Sequence, residues 1–61
     1  MINDLKTTSK TLQAMLSSCE EILPNIIDEK YKAYTEEFIE ATKIVLKQVE
    51  ALIEDSEEAN V

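Results

Sequence analysis

Not one glycine occurs in this chain of 61 residues, and that absence constrains the fold more than any residue present. Tight β-hairpin turns, phosphate-cradling loops and dinucleotide-binding turns all use backbone at positive φ, which glycine adopts without steric cost. A chain without glycine is steered toward helices joined by turns that stay at negative φ. Hydrophobic residues make up 44% of the sequence, too many for a disordered acidic segment, so the chain is expected to fold. The expected fold class is all-α.

The single proline supplies the one strong break. In Leu23-Pro24-Asn25 it disfavours helical backbone at the preceding residue and lacks the N–H that a helix interior needs. Asn25 then suits an N-cap, with Asp28 three residues on as a carboxylate variant of the capping box. Asp28 and Glu29 also place negative charge where the helix dipole favours it. A stop followed at once by a start predicts an antiparallel two-helix hairpin, helix one at about 3–23 and helix two at about 26–55. A single helix kinked at Pro24 is the competing picture, and it would leave the apolar stripes of both halves wet. The acidic end, 56–61, is expected to fray, because its carboxylates oppose the dipole.

Helix one carries a heptad seam of Leu5, Thr8, Leu12, Met15, Cys19 and Ile22, widened by Leu16 and Leu23. The run Lys6-Thr7-Thr8-Ser9-Lys10-Thr11 is its weak point, since such residues compete with the helical backbone or lose χ1 freedom. The helix therefore starts at Asn3 or is N-capped by Ser9, and the longer version is preferred. Helix two carries two stripes. One is Ile27, Tyr31, Tyr34, Phe38, Ala41, Val45 and Leu52, broken by Gln48; the other is Ile39, Leu46, Val49 and Ile53. Together they span an arc of roughly 160°, wider than one neighbouring helix buries.

A tight turn at Pro24-Asn25 makes the numbers of facing residues sum to about 50, placing Leu16 opposite Tyr34 and Leu5 opposite Val45. Val49, Leu52 and Ile53 would then overhang helix one and call for a second layer. A chain this short buries little surface by itself, and one cysteine makes no internal disulfide. The expected completion is a four-helix bundle, formed by homodimerisation or with a protein partner's helices. The expected partner or dimer interface comprises Tyr31, Tyr34, Phe38, Ile39, Val45, Leu46, Val49, Leu52 and Ile53.

Charge and chemistry narrow the function. The net charge of −7 comes from 13 acids against 6 lysines, with no arginine and no histidine. Residues 36–61 alone carry −6, from eight acids and two lysines. Direct nucleic-acid binding needs clustered cations, which are missing, and an interfacial membrane helix wants a basic face. Without histidine, neither Cys19 nor Ser9, Ser17 and Ser18 has the usual base partner. Carboxylate pairs Glu36/Glu40 and Glu50/Glu54 project outward, away from any dehydrated pocket. The expectation is thus no enzyme, no cofactor, no metal site, no membrane and no small-molecule substrate. The longest uninterrupted apolar run is far below a membrane span of about 20 residues, no signal peptide is read at the start, and a lone cysteine suits reducing conditions, so a cytoplasmic location is expected. Lysine to the exclusion of arginine, with frequent isoleucine and glutamate, points to a low-GC bacterial or phage source.

No family motif is present, and the helix–Pro-Asn–helix layout occurs in unrelated small proteins with different roles, so architecture alone names no function. The expected role is a small acidic protein-protein interaction module, serving as inhibitor, adaptor or chaperone. The alternative is an acidic mimic of nucleic-acid phosphates that blocks a basic site through Glu36, Glu40, Glu50 and Glu54. Cys19, on the apolar seam, is expected to be structural. Cys19→Ala should keep binding activity and cost about 1 kcal/mol in a denaturant titration, as one small side chain is trimmed; a folded variant without activity would reject that role.

Overall fold

The structure, a computed structural model, describes residues 2–59. It is a helical hairpin. Helix α1 spans Ile2–Ile22, a single 3₁₀ turn spans Leu23–Asn25, and α2 spans Glu29–Ala59, with no strand among the described residues. The expected helices and their order are present, and their limits have moved. The segment expected to fray is helical through Ala59, while residues 60 and 61 lie outside the described residues.

The threonine-rich start of α1 holds as helix because its hydroxyls turn back onto the backbone. Thr7 Oγ1 donates to the Asn3 carbonyl at 2.9 Å, and Thr11 Oγ1 donates to the Thr7 carbonyl at 3.0 Å. These bonds satisfy the very groups that would otherwise compete with the helix, so the Ser9-capped start is not adopted. Ser9 lies inside α1, buried, with its hydroxyl accepting from Gln13 Nε2 at 3.1 Å.

Chain reversal proceeds without any positive φ among the described residues. Pro24 sits in the first positions of the 3₁₀ turn, where its missing N–H costs nothing, and the Ile26 N–H donates to the Leu23 carbonyl at 3.2 Å. Ile26 is extended at φ −79° and ψ 118°, so the chain runs on before α2 begins. The N-cap is Asp28, not Asn25. Its Oδ1 accepts from the Lys30 N–H at 2.8 Å and the Tyr31 N–H at 3.2 Å, leaving Glu29 as the first helical residue.

This longer connection changes the register. Lys6 Nζ lies 3.9 Å from Glu57 Oε1, and Leu23 shares a groove with Ile39, so the numbers of facing residues add to 63 and 62 respectively. The expected sum near 50 is overturned: Leu16 comes level with Leu46, not Tyr34. Val49 and Ile53 consequently do not overhang α1. The connecting segment takes up length alongside the first turns of α2, and the overhang lies at that end, around Tyr31 and Tyr34.

The contact between helices is a heptad seam on both. On α1 the inward residues are Ile2, Leu5, Ser9, Leu12, Leu16, Cys19 and Leu23; on α2 they are Thr35, Ile39, Thr42, Leu46, Val49, Ile53 and Ser56. The α1 seam is rotated from the expected one. Leu5, Leu12 and Cys19 are retained, but Ser9, Leu16 and Leu23 replace Thr8, Met15 and Ile22. Both sets have heptad spacing, and the one chosen sets two leucines and a small residue against α2. The hairpin measures 50 × 14 × 13 Å, a single layer of helices.

Asp28→Ala should cost about 1 kcal/mol of stability through loss of the cap, whereas Asn25→Ala should be near neutral. Paired denaturant titrations check this, and equal losses would restore Asn25 as the cap.

Candidate functional site

At about 100° per residue, α2 divides into three heptad rows. The seam row faces α1. About 90° to one side runs the row Tyr31, Tyr34, Phe38, Ala41, Val45, Gln48 and Leu52; about 90° to the other runs Glu36, Glu40, Lys43, Lys47, Glu50, Glu54 and Glu57. Apolar and charged residues thus leave α2 on opposite flanks of the seam.

Contacts across the hairpin show which side of α1 joins each flank. The Lys6–Glu57 ion pair and the groove holding Glu20, Glu36, Glu40 and Lys43 put Lys6 and Glu20 on the charged face. Met15 and Ile22 lie on the other side of the α1 seam, so they join the apolar row of α2. The result is one open apolar face built from both helices. Its large side chains are well exposed: Met15 39%, Ile22 53%, Tyr31 66%, Tyr34 57%, Phe38 43%, Val45 45% and Leu52 53%.

The nine residues expected at an interface therefore separate into two groups. Tyr31, Tyr34, Phe38, Val45 and Leu52 stand together on the open face. Ile39 and Val49 are buried in the seam, and Leu46 and Ile53 are half-buried there, turned toward α1. The arc that looked continuous in α2 is shared between α1 and the open side. Leu52 is exposed through its angular position and not through overhang. Met15 and Ile22 were missed as open-face residues. Their spacing of seven, continuing from Thr8, was the available signal, but it competed with the equally regular Ser9, Leu16 and Leu23.

The seam's polar groups are satisfied internally. Thr42 is buried, with its Oγ1 donating to the Phe38 carbonyl at 2.7 Å, and Thr35 Oγ1 donates to the Tyr31 carbonyl at 2.8 Å. Cys19 is a free thiol, half-buried in the seam.

On the opposite face, Glu36, Glu40, Glu50 and Glu54 are all exposed and share one row. Lys43 lies 3.9 Å from Glu40 and Lys47 follows in the same row, so the acidic surface is interrupted at its middle. Exposed ion pairs of this kind contribute about 0–1 kcal/mol. Two shallow grooves, of about 340 and 240 Å³, run along this side. The larger is lined by Ile53 and four glutamates, Glu50, Glu54, Glu57 and Glu58, of which Glu57 is paired with Lys6. Among the described residues no cluster of three or more His, Cys, Asp or Glu side chains is placed to hold a metal ion, and no helix is long and apolar enough to cross a membrane.

No family model matches the chain, and neither a curated protein nor a solved structure matches it.

The division of α2 into rows has a direct test. Val49→Asp should cost 3 kcal/mol or more, since it buries an unpaired charge in the seam, roughly the cost of stranding one partner of a buried pair. Ile44 is 60% exposed and lies outside both the seam and the apolar row, so Ile44→Asp should shift stability by no more than about 0.5 kcal/mol. Thermal melts followed by circular dichroism distinguish the two; comparable losses would mean the seam is misplaced.

Proposed function

We propose that this chain is a small, acidic, non-enzymatic protein-protein interaction module that binds through its open apolar face, serving as an inhibitor, adaptor or chaperone of a protein partner. The observation that carries this reading is the segregation of the exposed surface. Tyr31, Tyr34, Phe38, Val45 and Leu52 line one face with Met15 and Ile22, while the charges gather on the other. Scattered exposed hydrophobic residues are ordinary on a soluble protein; a contiguous face with aromatic anchors is the usual mark of a recognition surface. Aromatic side chains also dominate binding hot spots. Recognition would be of the helix-in-groove or four-helix kind. A cytoplasmic setting belongs to the proposal, supported by the lone thiol of Cys19, which a reducing compartment keeps reduced.

The acidic-mimic alternative draws support from Glu36, Glu40, Glu50 and Glu54 sharing one face. Lys43 and Lys47 in the same row count against it, since a phosphate-like surface wants unbroken negative charge.

The two readings respond oppositely to salt and to mutation. Retention of host proteins by the immobilised chain, read by mass spectrometry, should persist from 0.05 to about 0.5 M salt and be lost in Phe38→Asp and Val45→Asp, because apolar burial is insensitive to screening. Retention that collapses with salt and with Glu36→Gln/Glu40→Gln, yet survives Phe38→Asp, would overturn the proposal in favour of mimicry.

A further inference from the structure

Resting on the reading of the open face as a recognition surface, we infer that in the free chain this face is covered by a second copy of this chain, packed face to face about a two-fold axis that runs perpendicular to the helices near Ala41. Three independent features lead there.

The first is area. Seven large apolar side chains at 39–66% exposure present on the order of 700 Å². That exceeds the roughly 300–600 Å² of the largest patch on a typical monomer and approaches the about 800 Å² per partner of a standard stable interface. The hairpin itself is one helix layer; among the described residues no large side chain is fully buried, and Leu16, Ile39 and Val49 form the buried apolar core. A domain normally closes its core between two layers.

The second is the order of sizes along α2. Read about Ala41, the open row is self-complementary in an antiparallel sense. Tyr31 comes level with the second copy's Leu52, Tyr34 with its Gln48, and Phe38 with its Val45, while Ala41 meets Ala41 at the axis. Large aromatic groups thus meet smaller ones at every level, and the smallest residue sits where the helices cross. The same two-fold brings Ile22 of α1, which lies level with α2 near Ala41, close to its own copy. A two-fold axis parallel to the helices would lay α2 over the second copy's α1 or, centred on α2, set Tyr31 against Tyr31 and Leu52 against Leu52, matching large with large and small with small.

The third is charge. Packing the open faces together leaves both acidic faces outward, two helix layers or roughly 20–30 Å apart at 8–10 Å between helix axes plus the outer side chains. That is beyond the Debye length of about 8 Å at physiological salt, so a charge of −7 on each copy is no obstacle.

The test uses the full chain. Sedimentation equilibrium at about 50 μM should give twice the 6.9 kDa chain mass. Phe38→Asp should weaken the dimer at least about 100-fold, since two anchors are lost per interface, while Ile44→Asp should leave it intact. In a Cys19→Ser background, a short bismaleimide should join Ala41→Cys chains into a covalent dimer and fail with Leu52→Cys. The reverse crosslinking pattern would overturn the antiparallel arrangement whether or not Phe38→Asp folds. A wild-type chain that sediments as a folded monomer at that concentration would overturn self-association. The wider reading then stands or falls separately, on whether Phe38→Asp abolishes retention of host proteins.

Discussion

Everything in this molecule hangs on the packing of α1 against α2 along a single heptad seam. Leu16, Ile39 and Val49 are the buried apolar residues of that seam, and Ser9 and Thr42 are buried beside them with their hydroxyls already satisfied. Small residues at these positions let the two backbones approach, and the leucines and isoleucines at intervening levels fill the space between. Neither helix would persist alone in water, because isolated helices are marginal and gain most of their stability from an apolar face that finds a partner. The ion pairs at Lys6–Glu57 and Glu40–Lys43 are too exposed to replace that contribution.

The seam also determines what the surface offers. Once Ile39, Leu46, Val49 and Ile53 are turned toward α1, helical geometry leaves Tyr31, Tyr34, Phe38, Val45 and Leu52 on one open flank. Glutamates and lysines occupy the other flank. Rotating α2 by a quarter turn would bury the aromatic row and expose the present seam, so the open apolar face follows from a competition between two stripes. The outcome accords with residue shape. The seam row is aliphatic with threonine and serine, suited to close helix approach, whereas the aromatic row needs a wider space than a two-helix contact provides.

The connection between the helices shows how local chemistry sets long-range register. With no glycine to reverse the chain at positive φ, the reversal is made from a 3₁₀ turn at Leu23–Asn25, an extended Ile26 and a new cap at Asp28. Those additional residues carry the register from a sum near 50 to one of 62–63, moving the partner of each α1 residue by about twelve positions along α2. A carboxylate accepts backbone N–H groups at a helix start as readily as a side-chain amide does. Residue preference alone therefore did not decide between Asn25 and Asp28.

Two helices, their order, the break at Pro24 and the amphipathic stripes were legible in the sequence, because they depend on interactions within a few residues: φ restriction, capping and heptad spacing. The acidic row and the apolar excess of α2 were legible for the same reason. Three things were decided by tertiary structure: the choice of Leu16 and Leu23 over Met15 and Ile22 for the α1 seam, the assignment of Ile39 and Val49 to the interior, and the register between helices. Each alternative has the same periodicity, so pattern cannot rank them. The ranking comes from how two particular surfaces fit at contact distance and from the length of chain needed to turn between them.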